Sequence, residues 1–263
     1  MNKKIGVIGA GNMGSVVCKA ITEVLGREAL LIADRNSEKC KGLDAHEIFE
    51  YPRDLMRRVD TVVLAVKPQG FDNLLKDCED IDWKDKFVIS IMAGLSIQTI
   101  QKKTGATRIV RAMPNVAMSV GEGTIGWVAS ESVTSGEKML VQRIFGESGV
   151  AIELDDESLM DAFTVIAGSG PAYFFYLTEL LAKKAVELGL SKSDAMRVAE
   201  RVCIGAGELL EDTDKDATKW REAITSRGGT TEAAITALQE SSFEKDFFVA
   251  LDKAMERGGE LAV

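Results

Sequence analysis

Residues 4–14, Lys-Ile-Gly-Val-Ile-Gly-Ala-Gly-Asn-Met-Gly, constrain the fold of this chain more than any other stretch. A short apolar run ends in glycines at 9, 11 and 14, and a helix-forming run follows from Met13 to Leu25. In the order strand, glycine turn, helix, each glycine has its own role. Gly9 permits the tight turn, Gly11 keeps the backbone bare where a pyrophosphate approaches, and Gly14 lets the helix lie close against the strand. Unpaired amides at the helix start, together with the helix dipole, favour an anion. The next strand ends in Ala33-Asp34-Arg35-Asn36. Asp34 lies about 20 residues past the glycines, where an acid reaches a ribose hydroxyl, as NAD asks; the adjacent Arg35 suits a 2′-phosphate, as NADP asks. Both residues are present, so NADP or NAD is expected.

Short apolar runs continue through the first half: Lys4–Ile8, Leu30–Ala33, Thr61–Ala65, Phe87–Ile91, Arg108–Arg111 and Thr124–Val128. Helical stretches fall around Met13–Leu25, Gln69–Cys78 and Ile97–Lys103. Alternation of this kind predicts a parallel sheet covered by helices on both faces, and the unbroken apolar runs suit strands buried on both sides. The expected fold is therefore α/β, an N-terminal Rossmann-type doubly wound sheet. Beyond about Leu154 the strand signals cease. Helices are expected at Glu157–Ile166, Ala172–Leu188, Lys192–Leu210, Lys219–Ile224, Glu232–Gln239 and Glu244–Arg257, with Gly189 as a stop and Ser191 as an N-cap between two of them. This predicts an all-α C-terminal domain, residues 155–263, after a nucleotide-binding domain, residues 1–154. The helix from Ala172 is apolar nearly all round, with Tyr173, Phe174, Phe175, Tyr176, Leu177, Leu180 and Leu181. A small helical domain cannot surround such a helix alone, so a second copy is expected to cover it, giving a homodimer.

Composition removes several classes of function. A net charge of −9 speaks against a nucleic-acid backbone as partner. The four cysteines, Cys18, Cys40, Cys78 and Cys203, form no C-x-x-C pair, which suits a reducing compartment, and no metal is expected. The N-terminal apolar run is too short for a signal peptide, nothing is long enough to span a membrane, and the cytoplasm is the expected location. The one histidine, His46, lies in a polar stretch and reads as a surface residue.

Other strand ends point into the same expected crevice. Ala65-Val66-Lys67-Pro68 closes one strand; the proline shapes the turn, and Lys67 reads as an electrostatic or packing residue more readily than as a catalytic one. Ile91-Met92-Ala93-Gly94 closes another, with small residues that admit the nicotinamide-ribose end. Asn115, in Met113-Pro114-Asn115, either orients a carboxamide or holds its own loop. Gly168-Ser-Gly-Pro-Ala-Tyr173 opens the apolar helix with Pro171 in its first turn; it either closes over the nicotinamide or is a close-packed helix start.

Arg111-Ala-Met-Pro-Asn115, Gly168-Ser-Gly-Pro-Ala-Tyr173 and Gly228-Gly-Thr-Thr231 stand in order behind Ala65-Val-Lys-Pro68 and the glycine turn. Together they resemble the pyrroline-5-carboxylate reductase family over essentially the whole chain. The resemblance implies hydride transfer from NADPH or NADH to the ring imine of 1-pyrroline-5-carboxylate, giving L-proline. It further implies a C-terminal helical dimerisation domain, interlocked subunits that share each active site, and in some members rings of dimers. Carried over by motif, the cofactor side is Ile8, Gly9, Ala10, Gly11, Asn12, Met13, Arg35, Ala65, Val66, Lys67, Pro68, Ile91, Met92 and Ala93. The substrate side, for a small imino acid, is Ser226, Gly228, Gly229, Thr230 and Thr231, with Thr231 facing the imine as the catalytic residue. Two departures stand out. The family usually reads Ser-Pro-Gly-Gly before the threonine, whereas this chain has Arg227 in place of the proline, and the family's upstream His-Pro pair is Asp216-Ala217 here.

The Gly228–Thr231 loop suits an anion. Paired glycines let successive N–H groups converge, and amides at a helix start are unpaired. On the residues alone, a threonine cap is the plainer reading; the resemblance reverses that, giving Gly229, Thr230 and Thr231 to the substrate carboxylate and the Thr231 hydroxyl to the ring nitrogen. A cyclic imine is partly protonated near neutral pH, so its reduction needs alignment more than a strong acid. That accounts for a reaction site with no histidine. Hydroxyacid and 6-phosphogluconate dehydrogenases, similar in layout, place a lysine early in the interdomain helix; here Gly170–Tyr176 has none, and Lys183 and Lys184 come about three turns later. The remaining alternatives are a reductase of another cyclic imino acid and a catalytically silent NAD(P)-binding regulator.

Overall fold

A computed structural model describes residues 4–211 and 214–261. The ends of both expected domains, residues 1–3 and 262–263, lie outside that range. The chain divides into two compact units. One comprises the chain up to Ser169 together with the segment from Met255; the other is Gly170–Ala254. Packing thus parts the chain later than the change of sequence texture near Leu154, because the first helical turns after that point still belong to the sheet. The ring of Phe163 fills the space over Gly126, where an added Cβ would lie 2.7 Å from it.

In the first unit the elements are β1 (Ile5–Ile8), α1 (Asn12–Leu25), β2 (Leu30–Ala33), β3 (Glu47–Phe49), α2 (Pro52–Met56), β4 (Thr61–Leu64), α3 (Phe71–Asp77), β5 (Phe87–Ser90), α4 (Ile97–Thr104), β6 (Arg108–Met113), β7 (Gly123–Ala129), α5 (Ser135–Gly146), β8 (Gly149–Glu153) and α6 (Leu159–Phe163). The sheet runs β3-β2-β1-β4-β5-β6-β7-β8. Strand order therefore reverses between β1 and β4, the doubly wound arrangement in which ligands bind at the strand C-termini. Those ends are level: Ile8 sits opposite both Ala33 and Leu64, and Leu64 opposite Ser90.

Strand pleating divides the core into two layers. Ile5, Val7, Leu30, Ile32, Val63, Phe87, Ile89 and Val110 face one, with Val17 and Ile21 of α1 and Val141 and Phe145 of α5. Ile8, Leu31, Val62, Leu64, Val88 and Ile109 face the other, with Leu55, Phe71, Leu74 and Ile100 from α2, α3 and α4. Each fully buried branched side chain contributes about 1.5–3 kcal/mol. Cys18 and Cys78 lie in these layers, where burial pushes both thiols up to about 12, so neither is reactive near neutral pH.

The sheet departs from the expectation in two respects. β7 is antiparallel to β6, while β8 is again parallel to β7, so the sheet is not wholly parallel. Residues 114–122 are too few for a parallel crossover, which needs about a dozen or more. The edge strands β3 and β8 were not expected at all; they are short, hold no fully buried residue, and lack the buried-strand pattern. Helix α5 was also missed, although Thr134 and Glu137 form a capping box at its start.

A π-helical turn, Thr164–Gly168, leads into α7 (Gly170–Glu187), followed by α8 (Lys192–Leu210), α9 (Ala217–Ala223), α10 (Thr230–Glu240) and α11 (Phe243–Leu261). Gly189, at φ 102°, turns the chain after α7, and Ser191 caps α8 by accepting the Asp194 amide at 3.1 Å. The buried positions of α7 and α8 are small: Thr178, Ala182, Ala195 and Ala199. Phe174, Phe175 and Tyr176 are each about three-fifths exposed in the single chain. No helix among the described residues is long and apolar enough to cross a membrane.

Candidate active site

A cleft of about 330 Å³ opens over the β1/β4 switch point. Of the residues expected on the cofactor side, Ile8, Gly9, Gly11, Asp34, Arg35, Ala65, Val66 and Lys67 line it. Backbone geometry fixes its floor. Gly9 adopts φ 101°, a left-handed conformation suited to glycine, and donates its amide to the Ala33 carbonyl at 2.8 Å. A Cβ on Gly11 would meet nothing within 4 Å, so the glycine leaves open space. Helix α1 begins there with Gly11, which lines the cleft, as N-cap and no side-chain cap, so the helix start has no side-chain acceptor of its own.

Asp34 has a structural role besides any contact with a ribose. One of its oxygens accepts the Ala10 amide at 2.8 Å and the other accepts the Asn36 amide, also at 2.8 Å. The carboxylate thereby ties the glycine turn to the end of β2. Ala10 is buried and engaged in this bond. Asn12 is exposed at the start of α1, and Met13 packs part-buried on the core.

Arg35 is mostly exposed and pairs with Asp77 of α3, Nη2 to Oδ2 at 2.5 Å. Asp77, Asn73 and Lys39 line the cleft and were missed from the sequence. The signal for two of them was present. Pro68 starts a turn directly before α3, and positions 73 and 77, four apart, share one helix face.

Lys67 is exposed, and its carbonyl accepts the Gly70 amide at 2.8 Å, closing the Pro68 turn. Pro68 is part-buried and does not line the cleft, nor do Ile91, Met92 and Ala93. The Met92 side chain lies in one core layer, Ile91 packs against the other, and Ala93 is exposed just beyond β5. Asn115 is buried and engaged with its own surroundings: its amide nitrogen donates to the Ala167 carbonyl at 3.0 Å, and its oxygen accepts the Thr124 amide at 3.2 Å. Of its two expected roles, the contacts match the holding of its loop. They link the π-helical turn to β7. His46 is exposed and lies 2.6 Å from Glu28.

The second expected site, Ser226–Thr231, lies in the other unit and opens α10. Gly228 takes φ 71°, and its amide donates to the Glu232 carboxylate at 2.6 Å. The Gly229 amide donates to the Ser226 carbonyl at 2.9 Å. This corrects the expected set of anion donors: the turn itself consumes the Gly229 amide, which leaves those of Thr230 and Thr231. Gly229 is the N-cap of α10 and provides no side-chain cap. Thr230 and Thr231 are therefore the first two helical residues and not caps. Thr231 is part-buried, and its hydroxyl has no hydrogen-bond partner among the described residues. Arg227 stands exposed beside the loop.

Helices α4, α5, α8 and α9 are capped by the side chains of Ser96, Thr134, Ser191 and Asp216. Helices α1 and α10, behind the two expected sites, start on bare glycines. Such starts retain free donors for an outside anion.

Comparison with known proteins agrees along the whole chain. Residues 157–261 match the model for pyrroline-5-carboxylate reductase dimerisation, and residues 4–94 match that for NADP oxidoreductase, coenzyme F420-dependent. The chain is 33% identical to a pyrroline-5-carboxylate reductase of Methanosarcina acetivorans, across 99% of this chain and 98% of that one. Among solved structures it resembles a pyrroline-5-carboxylate reductase from Coxiella burnetii, with a TM-score of 0.91, 31% identity and full coverage of both chains. It also resembles the Plasmodium falciparum pyrroline carboxylate reductase with NADP bound, with a TM-score of 0.86, 29% identity and coverage of 100% and 99%.

Proposed function

Because the chain belongs to the pyrroline-5-carboxylate reductase family, we propose that it reduces 1-pyrroline-5-carboxylate to L-proline with NADPH or NADH, the last step of proline synthesis. The observation that carries this reading is a likeness extending over the entire length, through both the cleft and the Gly228–Thr231 loop.

The cleft residues fit the dinucleotide. A bare Gly11, the uncapped start of α1 and the Asp34-tied turn suit a pyrophosphate and its neighbouring ribose. When bound, the reduced nicotinamide supplies hydride. The chain supplies placement. The amides of Thr230 and Thr231 hold the imino acid's carboxylate, and the Thr231 hydroxyl hydrogen-bonds the ring nitrogen. A protonated imine already accepts hydride, so no side chain needs to act as a strong acid. Positioning alone lowers a barrier by about 7–11 kcal/mol in favourable cases.

The test is NADPH and NADH oxidation with 1-pyrroline-5-carboxylate at neutral pH. One proline is expected for each cofactor oxidised; oxidation with neither cofactor would refute the reading. The exposed Arg227, beside a loop that binds a carboxylate, favours one alternative, a different cyclic imino acid. Faster turnover of the six-membered homologue than of the five-membered ring would establish that alternative.

The proposal includes a homodimer formed through the helical region. The exposed Phe174, Phe175 and Tyr176 of α7 are the apolar surface that a second copy would bury. The proposal also takes in the rings of dimers that the family resemblance implies for some members, and a cytoplasmic location.

Arg35 is the expected 2′-phosphate contact. Arg35→Ala should raise KM for NADPH by about tenfold, the worth of one charge-assisted bond, and KM for NADH by much less. Equal changes for the two cofactors would show that Arg35 makes no phosphate contact.

A further inference from the structure

Arg111 is buried within β6, opposite Ser90, the last residue of β5. A buried guanidinium is costly unless paired, and here the partner comes from a distant segment. Glu157 Oε1 accepts from Arg111 Nη1 at 2.9 Å, and Asp161 lies 3.6 Å from Nη2. The same Glu157 oxygen accepts the Ile97 amide at 2.9 Å. Ile97 is the first residue of α4 and follows the turn Ile91–Ser96. That turn is tied at its start by Ile91 N to the Leu64 carbonyl, 3.0 Å, and by Met92 N to Ser90 Oγ, 3.3 Å. Its far end is tied by Glu157. Ser96 already caps α4 through the Thr99 amide, so the helix has its own cap without Glu157.

We propose that Arg111 and Glu157 form a positioning pair for the cofactor, fixing the orientation of the Ala93–Gly94 peptides through Ile97. This rests on the reading that the turn after β5 faces the nicotinamide half of the cofactor. Met92 and Leu95 bury their side chains and set the depth of the turn. Gly94, at φ 74°, takes a left-handed conformation between them, and the chain beyond it is tied at Ile97. Arg111 holds the Glu157 carboxylate at a single point, so one oxygen serves both donors.

The experiment compares Glu157→Ala, Glu157→Gln and Arg111→Lys, measuring NADPH affinity by fluorescence titration without imine, KM and kcat with imine, and hydrogen exchange over residues 91–97 in cofactor-free protein. Glu157→Ala should weaken NADPH affinity and raise its KM about fivefold, with kcat within twofold and faster exchange at residues 91–97. Glu157→Gln retains an oxygen that accepts from both donors and should return affinity to within twofold of the wild type. Should Glu157→Ala fail to fold, Arg111→Lys, which keeps the charge and loses the planar fork, should show the same exchange and a KM raised about threefold. Unchanged affinity and exchange in the folded variants would overturn the proposal, even where melting temperature falls. If the wild type binds NADPH yet never oxidises it with the imine, the proposed reaction fails and the pair is still judged by affinity and exchange.

Discussion

Thr231→Ala is expected to lower kcat for the imino acid by roughly 30- to 1000-fold, the equivalent of about 2–4 kcal/mol for one preorganised polar group at the reacting nitrogen. The fold around the residue makes this a clean measurement. Thr231 is the second residue of α10, and the N-cap is Gly229. Removing the hydroxyl therefore removes no cap, and alanine has the higher helix propensity. The variant should melt at or slightly above the wild-type temperature while turning over far more slowly. A residue that only supported the helix would show the opposite, with a lower melting temperature and turnover scaled to the folded fraction. Thr231→Ser keeps the hydroxyl and should recover most of the rate. Unchanged turnover in Thr231→Ala would remove this side chain from the mechanism and leave the backbone amides as the chain's contribution at that loop.

Features resting on local backbone demands were legible in the sequence. The glycine turn could be read because strand, turn and helix follow one another within residues 4–25, and each glycine answers a steric need there. The Gly228–Thr231 loop was legible for the same reason, although not its internal bonding: that Ser226 takes the Gly229 amide depends on how tightly the turn closes. Features set by distant partners were hidden. Asp77 beside Arg35, and Glu157 beside Arg111, join residues 42 and 46 positions apart in the chain. The bonds by which Asn115 holds its loop, to Ala167 and Thr124, depend on the same kind of distant partner. Strands β3 and β8 lacked a buried pattern because edges are solvated, while the antiparallel β7 was open to prediction from the shortness of residues 114–122.

The glycine turn yields the second large effect. Gly14→Ala should reduce NADPH affinity by roughly 100-fold or more and destabilise the fold by about 3 kcal/mol, a melting-temperature fall on the order of 6–12 °C for a chain of this size. A Cβ at position 14 would run into the carbonyl oxygen of Gly9 and lie 3.1 Å from the Ala65 Cβ. The Gly9 carbonyl is backbone and has nowhere to go. Gly9 is held by its left-handed φ and its bond to Ala33, and a Cβ of its own would lie 2.8 Å from the Ala65 carbonyl. Helix α1 must then lift from β1 and β4, and its free amides move with it. Gly11→Ala provides the contrast. A Cβ there meets no protein atom within 4 Å, and Gly11 already has a φ of −72°, which alanine adopts freely. That variant should melt like the wild type and still lose NADPH affinity, because the methyl group occupies the space through which the pyrophosphate approaches. If Gly11→Ala binds NADPH as well as the wild type does, no cofactor lies against that turn, and the assignment of the cleft fails independently of the stability of Gly14→Ala.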